Sequence, residues 1–114
     1  MRINRFEEIK AWQKSRILVK EIYTEFRDLK DYSFKNQIQR AVISVQNNIA
    51  EGFERRGNKE LRQFLYISKG SSAEVRSMLY NALDLGYVKN DRFSNLYDKT
   101  EEVSKMLSGL IKKL

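Results

Sequence analysis

The sequence predicts an all-α fold, an antiparallel up-down-up-down four-helix bundle, and three observations carry that prediction. Proline is absent and glycine occurs five times in 114 residues, so long helices meet few interruptions and tight strand connections have little to be built from. Apolar residues recur at spacings of three and four in four separate stretches. The connections between them are a few residues long, so successive rods must turn back on one another. A chain of this length buries roughly two-thirds of its unfolded surface around one core, and residues 1–114 read as one domain.

The first helix is expected to open at Asn4, with Glu7 three positions on completing a capping-box pattern, and to run to about Asp28. Its seam of Ile9, Trp12, Val19, Ile22, Tyr23, Phe26 and Leu29 is broken near Ser15 and Arg16, and Trp12 reads as a core anchor. A polar link, Lys30 to Ser33, leads into the second helix, Phe34 to Glu51, whose apolar face is Phe34, Ile38, Ala41, Val42, Val45, Ile49 and Phe53. Gly52 and Gly57 bracket its exit, with Gly57 placed for a positive φ and Asn58 placed to cap the third helix.

The third helix continues to about Leu85 along a seam that is large at both ends (Leu61, Phe64, Leu65; Val75, Met78, Leu79, Ala82) and small in the middle (Ser68, Ser71, Ser72). Gly70 in that small zone carries a propensity penalty of about 1 kcal/mol relative to Ala, which implies an offsetting packing contact. Leu85-Gly86-Tyr87 reads as a left-handed C-cap followed by an apolar residue. Asn90 or Asp91 caps the fourth helix, whose seam of Phe93, Leu96, Tyr97, Thr100, Val103, Leu107, Leu110, Ile111 and Leu114 reaches the final residue; Lys112 and Lys113 suit the negative end of its dipole.

Composition excludes several chemistries. Cysteine and histidine are both absent, which removes disulfides, thiolate nucleophiles, imidazole bases and nearly every zinc site, including the Glu-x-x-His pattern of di-metal bundles. No metal or cofactor is expected. The glycines at 52, 57, 70, 86 and 109 are isolated and form no phosphate-cradling loop. Glu51 and Glu74 are the carboxylates that could meet as an acid–base pair, but Arg40 and Arg76 are equally available to neutralise them as ion pairs. No apolar run reaches the roughly 20 residues of a membrane span, and MRINRFEEIK lacks the apolar stretch of a secretory signal, so a cytoplasmic location is expected.

Lys and Arg number 22 against 15 Asp and Glu, a net charge of +7 and a pI near 9.7. The surplus is even along the chain, with 12 bases and 8 acids in residues 1–57 and 10 and 7 in residues 58–114. A basic domain attracts polyanions, and the same surplus equally serves solubility. On the third helix Arg62, Tyr66, Lys69, Ala73, Arg76 and Tyr80 share one face at spacings of three and four, alternating bases with aromatics. With Arg55, Arg56 and Lys59 in the preceding turn they form the candidate RNA or DNA contact, Arg and Lys on phosphates and Tyr stacking on unpaired bases; a solvated face with tyrosine rims is the alternative. The second helix opposes its apolar face with Gln37, Arg40, Ser44, Asn47, Asn48 and Glu51. Amides and hydroxyls with an arginine among them suit a specific, partly buried subunit contact better than a solvated face, where Lys and Glu are usual. Gln37, Arg40, Ser44, Asn48 and Glu51, with Ser71 and Glu74 opposite, are the candidate self-contact.

Several segments, FEEIKAWQKS, QIQRAVISVQNNIAEG, FLYISKGSSAEV, LDLGY and KMLSGLIKKL, occur in the order seen in a known family. The chain resembles the 23S rRNA-intervening-sequence proteins, the S23 or four-helix-bundle family of bacteria, over nearly its whole length. The resemblance implies a small bundle assembling as a ring-like homopentamer with no established enzymatic activity. It implies mainly architectural roles for Arg40, Asn48, Glu51, Gly70, Ser71 and Glu74. By a more distant analogy with an accessory protein of diversity-generating retroelements, it implies work alongside a reverse transcriptase and nucleic acid. The chain departs from the family pattern at Gln46, where proline is usual, and at Ser33 and Phe34, where glycine and leucine are common. Losing the proline restores a backbone donor and removes the cause of a kink. The expected function is that of a non-enzymatic oligomer whose basic surface binds nucleic acid, RNA before DNA; the rival is a homo-oligomeric scaffold that engages another protein.

Overall fold

A computed structural model describes residues 2–114. A short 3-10 turn, Phe6–Glu8, precedes four helices: α1 (Lys10–Glu25), α2 (Tyr32–Phe53), α3 (Asn58–Asp84) and α4 (Asn90–Lys112). Each packs against its neighbours in sequence and α4 closes back on α1, while the diagonal pairs stay apart; the result is an up-down-up-down bundle 43 × 23 × 19 Å in extent. Its core is one cluster running from Ile9, Leu18, Ile22 and Phe26 through Ile38, Val42, Val45 and Ile49 to Leu65, Val75, Leu79, Leu96, Val103 and Leu107.

The largest interface joins α2 to α3, and small residues make it so. At Gly52, buried in the last turn of α2, an added Cβ would stand 2.6 Å from the Cβ of Phe64 and 3.1 Å from Leu61. About one turn further along α3, the buried Ser68 hydroxyl donates to the Val45 carbonyl of α2 at 2.6 Å, and Ser44 meets Ser71 at 2.8 Å. Side chains of ordinary size at these positions would hold the two backbones apart. The buried Ser68 hydroxyl is satisfied by the opposite helix, as burial of polar groups requires, and the half-buried Ser44 and Ser71 satisfy each other.

Several helix ends differ from the sequence expectation. Asn4 does not cap a helix; its backbone N–H donates to Glu8 Oε1 at 3.1 Å, so the reciprocal carboxylate is Glu8, not Glu7, and it serves the 3-10 turn. Extended backbone at Ile9 then restarts the chain as α1, which at 16 residues is shorter than expected. Ser15 does not break the α1 seam but belongs to it, fully buried between Ala11 and Leu18 with its hydroxyl given to the Trp12 carbonyl at 2.8 Å. Trp12 is half-buried and packs edge-to-face on Phe6, at the flank of the core. α2 begins two residues early because Asp31 caps it, accepting from the Phe34 N–H at 3.1 Å, and runs unbroken through Gln46.

Gly57 is extended rather than left-handed, and Asn58 is the first helical residue rather than the cap. Lys89 occupies the α4 N-cap position with no side-chain bond, so neither Asn90 nor Asp91 caps that helix. Gly70 is exposed, with open space where a Cβ would point, so no contact within this protomer accounts for it. Gly86 does adopt a φ of 77°, and the bonds Tyr87 N–H to Ala82 O (2.8 Å) and Gly86 N–H to Leu83 O (3.1 Å) close a Schellman motif.

That motif aims Tyr87 at the opposite turn, where its hydroxyl donates to Asp31 Oδ2 at 2.7 Å. One carboxylate thus caps α2 and ties the α3–α4 turn to the α1–α2 turn. The Tyr87 hydroxyl and then the Phe34 N–H hold Asp31 below the ordinary carboxylate range, and Asp31 raises Tyr87 above the ordinary phenol range. Along the α1–α4 flank Lys99 pairs with Glu21, and Arg92 pairs with Glu25 at 2.8 Å and Glu21 at 3.8 Å. Glu25 is the leading cause of the raised Arg92 pKa.

Gly52→Ala should destabilise by about 1–3 kcal/mol through overpacking on Phe64, whereas Gly109→Ala, a helical position with open space, should stabilise by about 0.5–1 kcal/mol; urea unfolding compares them. For the latch, a depressed Asp31 pKa means stabilisation that is full above the unfolded carboxyl value near 4 and lost as pH falls through the lower folded value. The melting temperature of Tyr87→Phe should therefore lie below wild type at neutral pH, and the gap should close in acid.

Candidate functional site

The polar flank of α2 and the facing flank of α3 enclose an open groove of about 730 Å³ lined by Ser33, Asn36, Gln37, Arg40, Ala41, Ser44, Ser71 and Glu74. Five of the seven residues proposed for self-contact are bonded within the protomer. Gln37 Nε2 donates to Glu74 at 3.3 Å, Ser44 and Ser71 share their bond, and Asn48 Nδ2 donates to both the carbonyl (2.8 Å) and the hydroxyl (2.9 Å) of Ser44. These bonds fix the groove wall rather than project from it. Arg40 is exposed on the rim and is in no ion pair among the described residues. On the α3 side Ile67, about half exposed, stands one turn before Ser71, and Gly70 leaves the surface there without a side chain.

Glu51 is not part of this groove. It lies two turns further along, over a shallow depression shared with Phe6, Ala50, Glu54 and Arg55. Gln37, the partner of Glu74, is 14 residues from Glu51 on α2, about 21 Å along the axis, so the two carboxylates do not meet as an acid–base pair. Neither pairs with Arg40 or Arg76 among the described residues. No cluster of three or more metal-ligating side chains occurs among the described residues, and no helix is long and apolar enough to cross a membrane.

The basic stripe of α3 divides on folding. Arg62 is half-buried and donates to the backbone carbonyl of Leu114, tying α3 to the end of α4. Lys69 and Arg76 are also half-buried, and the Arg76 Nε is enclosed without a hydrogen-bond partner. Tyr66 and Tyr80 are both about half exposed, and Tyr80 leans on Phe93 and Tyr97 of α4 with ring centroids 5.1 and 5.4 Å away. Hydrogen bonding to Tyr97, then burial, raises the Tyr80 hydroxyl above the usual phenol range. The cations of the stripe therefore line the α3–α4 junction more than they face solvent.

The turn residues Arg55, Arg56 and Lys59 are all exposed, with the Arg55 guanidinium 4.9 Å over the Phe64 ring. Folding gives them company that the linear sequence does not show. The antiparallel order brings residues 2–10, 51–62 and 106–114 to one end, a group holding nine Lys and Arg against five Glu. At the opposite end, residues 23–36 and 83–93 hold five of each sign. A charge spread evenly along the chain is thus uneven in space. Arg62→Met should lower stability by about 1 kcal/mol through loss of its bond to the α4 end, while Arg56→Met, exposed and unpaired, should leave urea unfolding unchanged.

A family model described as 23S rRNA-intervening sequence protein matches residues 7–109. No curated protein matches the chain. Among solved structures, a protein of unknown function from the S23 ribosomal protein family of Bacteroides thetaiotaomicron VPI-5482 superposes with a TM-score of 0.84 at 21% identity, over 90% of this chain and 98% of that one. Neither description names a catalytic activity.

Proposed function

Since the chain belongs to the 23S rRNA-intervening sequence protein family, we propose that it acts without catalysis, as a self-assembling helical bundle whose basic end binds nucleic acid, RNA before DNA. The observation that carries this reading is the gathering of nine Lys and Arg at one end of a fold whose other end is balanced. Charge spent on solubility alone needs no such polarity, whereas phosphate binding rewards cations brought within one Debye length of each other. Self-assembly, as the pentamer that the resemblance implies, rests on the α2–α3 groove: Arg40 is unpaired on its rim, Ile67 is exposed beside it, and Gly70 lets another backbone approach. A buried ion pair to a copy would satisfy Arg40, and the open space at Gly70 would supply the contact that its place in a helix otherwise lacks.

Light scattering should find the purified chain as an oligomer that Arg40→Glu combined with Ile67→Asp reduces to protomers; a monomeric wild type removes the self-contact. Single-stranded RNA should bind with an affinity that falls steeply with salt. Reversing Arg55, Arg56 and Lys59 to Glu should reduce the logarithmic salt slope by about 2, from some 0.7 per phosphate contact. RNA affinity indifferent to both changes would leave the protein-engaging scaffold as the function.

A further inference from the structure

Helix α1 pairs its carboxylates, and Lys14 as well, with α4. The carboxylates Glu21 and Glu25 face α4, where Lys99 and Arg92 take them. Away from α4, α1 exposes Arg16 and Lys20, Arg27 follows in the turn after the helix, and Lys35 of α2 joins them, its ammonium reaching the Arg27 carbonyl at 3.2 Å. None of these four is ion-paired among the described residues. α2 supplies no carboxylate to this side: between Asp31 and Glu51 it has no acid at all, and its half-buried positions here are Gln39, Ile43, Gln46 and Ala50. Cations left unmatched on one flank of a helix, while the carboxylates on the other are neutralised, are available to an external anion.

The same flank holds a slot. Trp12, Gln13, Arg16, Ile17 and Lys20 border an open depression of about 430 Å³, with the half-buried indole as one wall and the Arg16 guanidinium 5.9 Å over its ring. Ile17 is about half exposed, an apolar side chain in water at the mouth. A planar, partly apolar group bearing hydrogen-bond edges fits such a place: it stacks on the guanidinium or on the indole and meets the Gln13 amide at its rim. Phe6 connects the slot to the basic end, touching Trp12 edge-on at 5.2 Å and sharing the depression that holds Arg55.

We propose that the outer face of α1, with the turn that leads into α2, is the track of a single-stranded nucleic acid, with one base in the Trp12–Arg16 slot and the phosphates of its neighbours on Lys20, Arg27 and Lys35. From Trp12 to Glu25, the end of α1, the track runs 13 residues, about 20 Å along the helix, with Arg27 in the turn just beyond. Stacking on an aromatic or guanidinium plane selects unpaired bases, and lysines and arginines without carboxylates beside them bind the backbone irrespective of sequence. A duplex offers the phosphates without a free base face. This inference rests on the reading of the protein as a nucleic-acid binder and assigns the strand a path that the α3 stripe, with its cations turned into the α3–α4 junction, does not offer. It leaves the flank of α2 toward α3 to the proposed self-contact.

The chain has one tryptophan, so its fluorescence reports on the slot alone. Titration of full-length protein with a short oligouridylate should quench it, and salt should reverse the quenching. Arg16→Glu with Lys20→Glu should weaken binding at least about tenfold and cut the salt slope by about 0.7, the one phosphate contact at Lys20; Arg16→Gln with Lys20→Gln, in far-UV circular dichroism identical to wild type, should give a smaller loss in the same direction. Reversal of Arg55, Arg56 and Lys59 should weaken binding but leave the quenching at saturation intact. The track is overturned if wild type binds with unchanged tryptophan emission and the α1 variants bind as tightly, or if a duplex of the same length binds as well as the single strand. Absence of any binding by wild type overturns the nucleic-acid reading itself, an outcome separate from failure of this path. A deoxyoligonucleotide of matching sequence, bound equally or less tightly with quenching, supports the track and ranks its two sources.

Discussion

The close approach of α2 and α3 governs the rest of this molecule. Gly52 against Phe64, Ser68 on the Val45 carbonyl and Ser44 on Ser71 fix how far apart the two helices stand and their register along one another. A slip by one residue would turn Ser68 away from the carbonyl it satisfies and leave a buried hydroxyl unpaired, at about 1–3 kcal/mol. With the register fixed, Gln37 falls opposite Glu74 and the polar groove has its shape. The turn carrying Arg55, Arg56 and Lys59 then stands at the end that also receives the beginning of α1 and the last turns of α4.

Electrostatics derive from that placement. The flank between α1 and α4 is neutralised from within, Glu21 and Glu25 against Arg92 and Lys99, with side chains only partly exposed. Pairs of this kind are individually weak in water, but they fix which side of α1 faces α4. The cations on the other side of the same helix have no such partners. Segregation within one helix and polarity between the two ends both come from folding, since neither half of the linear sequence is markedly more basic than the other.

The sequence made the helices and most of the core legible because burial follows period, and Ile38, Val42, Val45, Ile49, Leu65, Val75, Leu79, Leu96, Val103 and Leu107 all sit where spacing places them. Small polar residues defeated the same reasoning. Ser15 is as buried as its leucine neighbour because a hydroxyl that bonds to its own helix is nearly apolar to the outside, and a hydropathy seam scores it as a break. Helix starts are obscured where several capping residues stand close together: Asn4, Glu7 and Glu8 compete before α1, and Asp31, which caps α2 through the Phe34 N–H, is also held by Tyr87, a residue 56 positions away. Among the candidate site residues, Gln37, Ser44, Asn48, Ser71 and Glu74 lie together on the facing flanks of α2 and α3. The sequence could not show that they bond to one another, nor that Arg62 is held by the α4 end. The bases of α1 carry no signal in the linear sequence, because their spacing matters only relative to Glu21 and Glu25, and which side those acids take is decided by α4.

Helix α2 is where the two proposed roles meet without competing. Its flank toward α3 borders the groove with Arg40, Ser44 and Glu74 of the facing helix, and its flank toward α1 contributes Lys35, Gln39 and Gln46. Copies held through the first flank keep the second open, so an assembly would repeat the track at fixed spacing around its circumference. Each copy offers a handful of cations and one stacking slot, a modest affinity taken singly. A strand that engages one copy reaches the next at high effective concentration, and avidity then exceeds the single-site affinity without any new contact. The absence of acids from α2 between Asp31 and Glu51 suits both tasks at once: a carboxylate at position 39 or 46 would repel the phosphates, and one placed beside Arg40 would satisfy that side chain within its own protomer and leave it nothing to give a second copy.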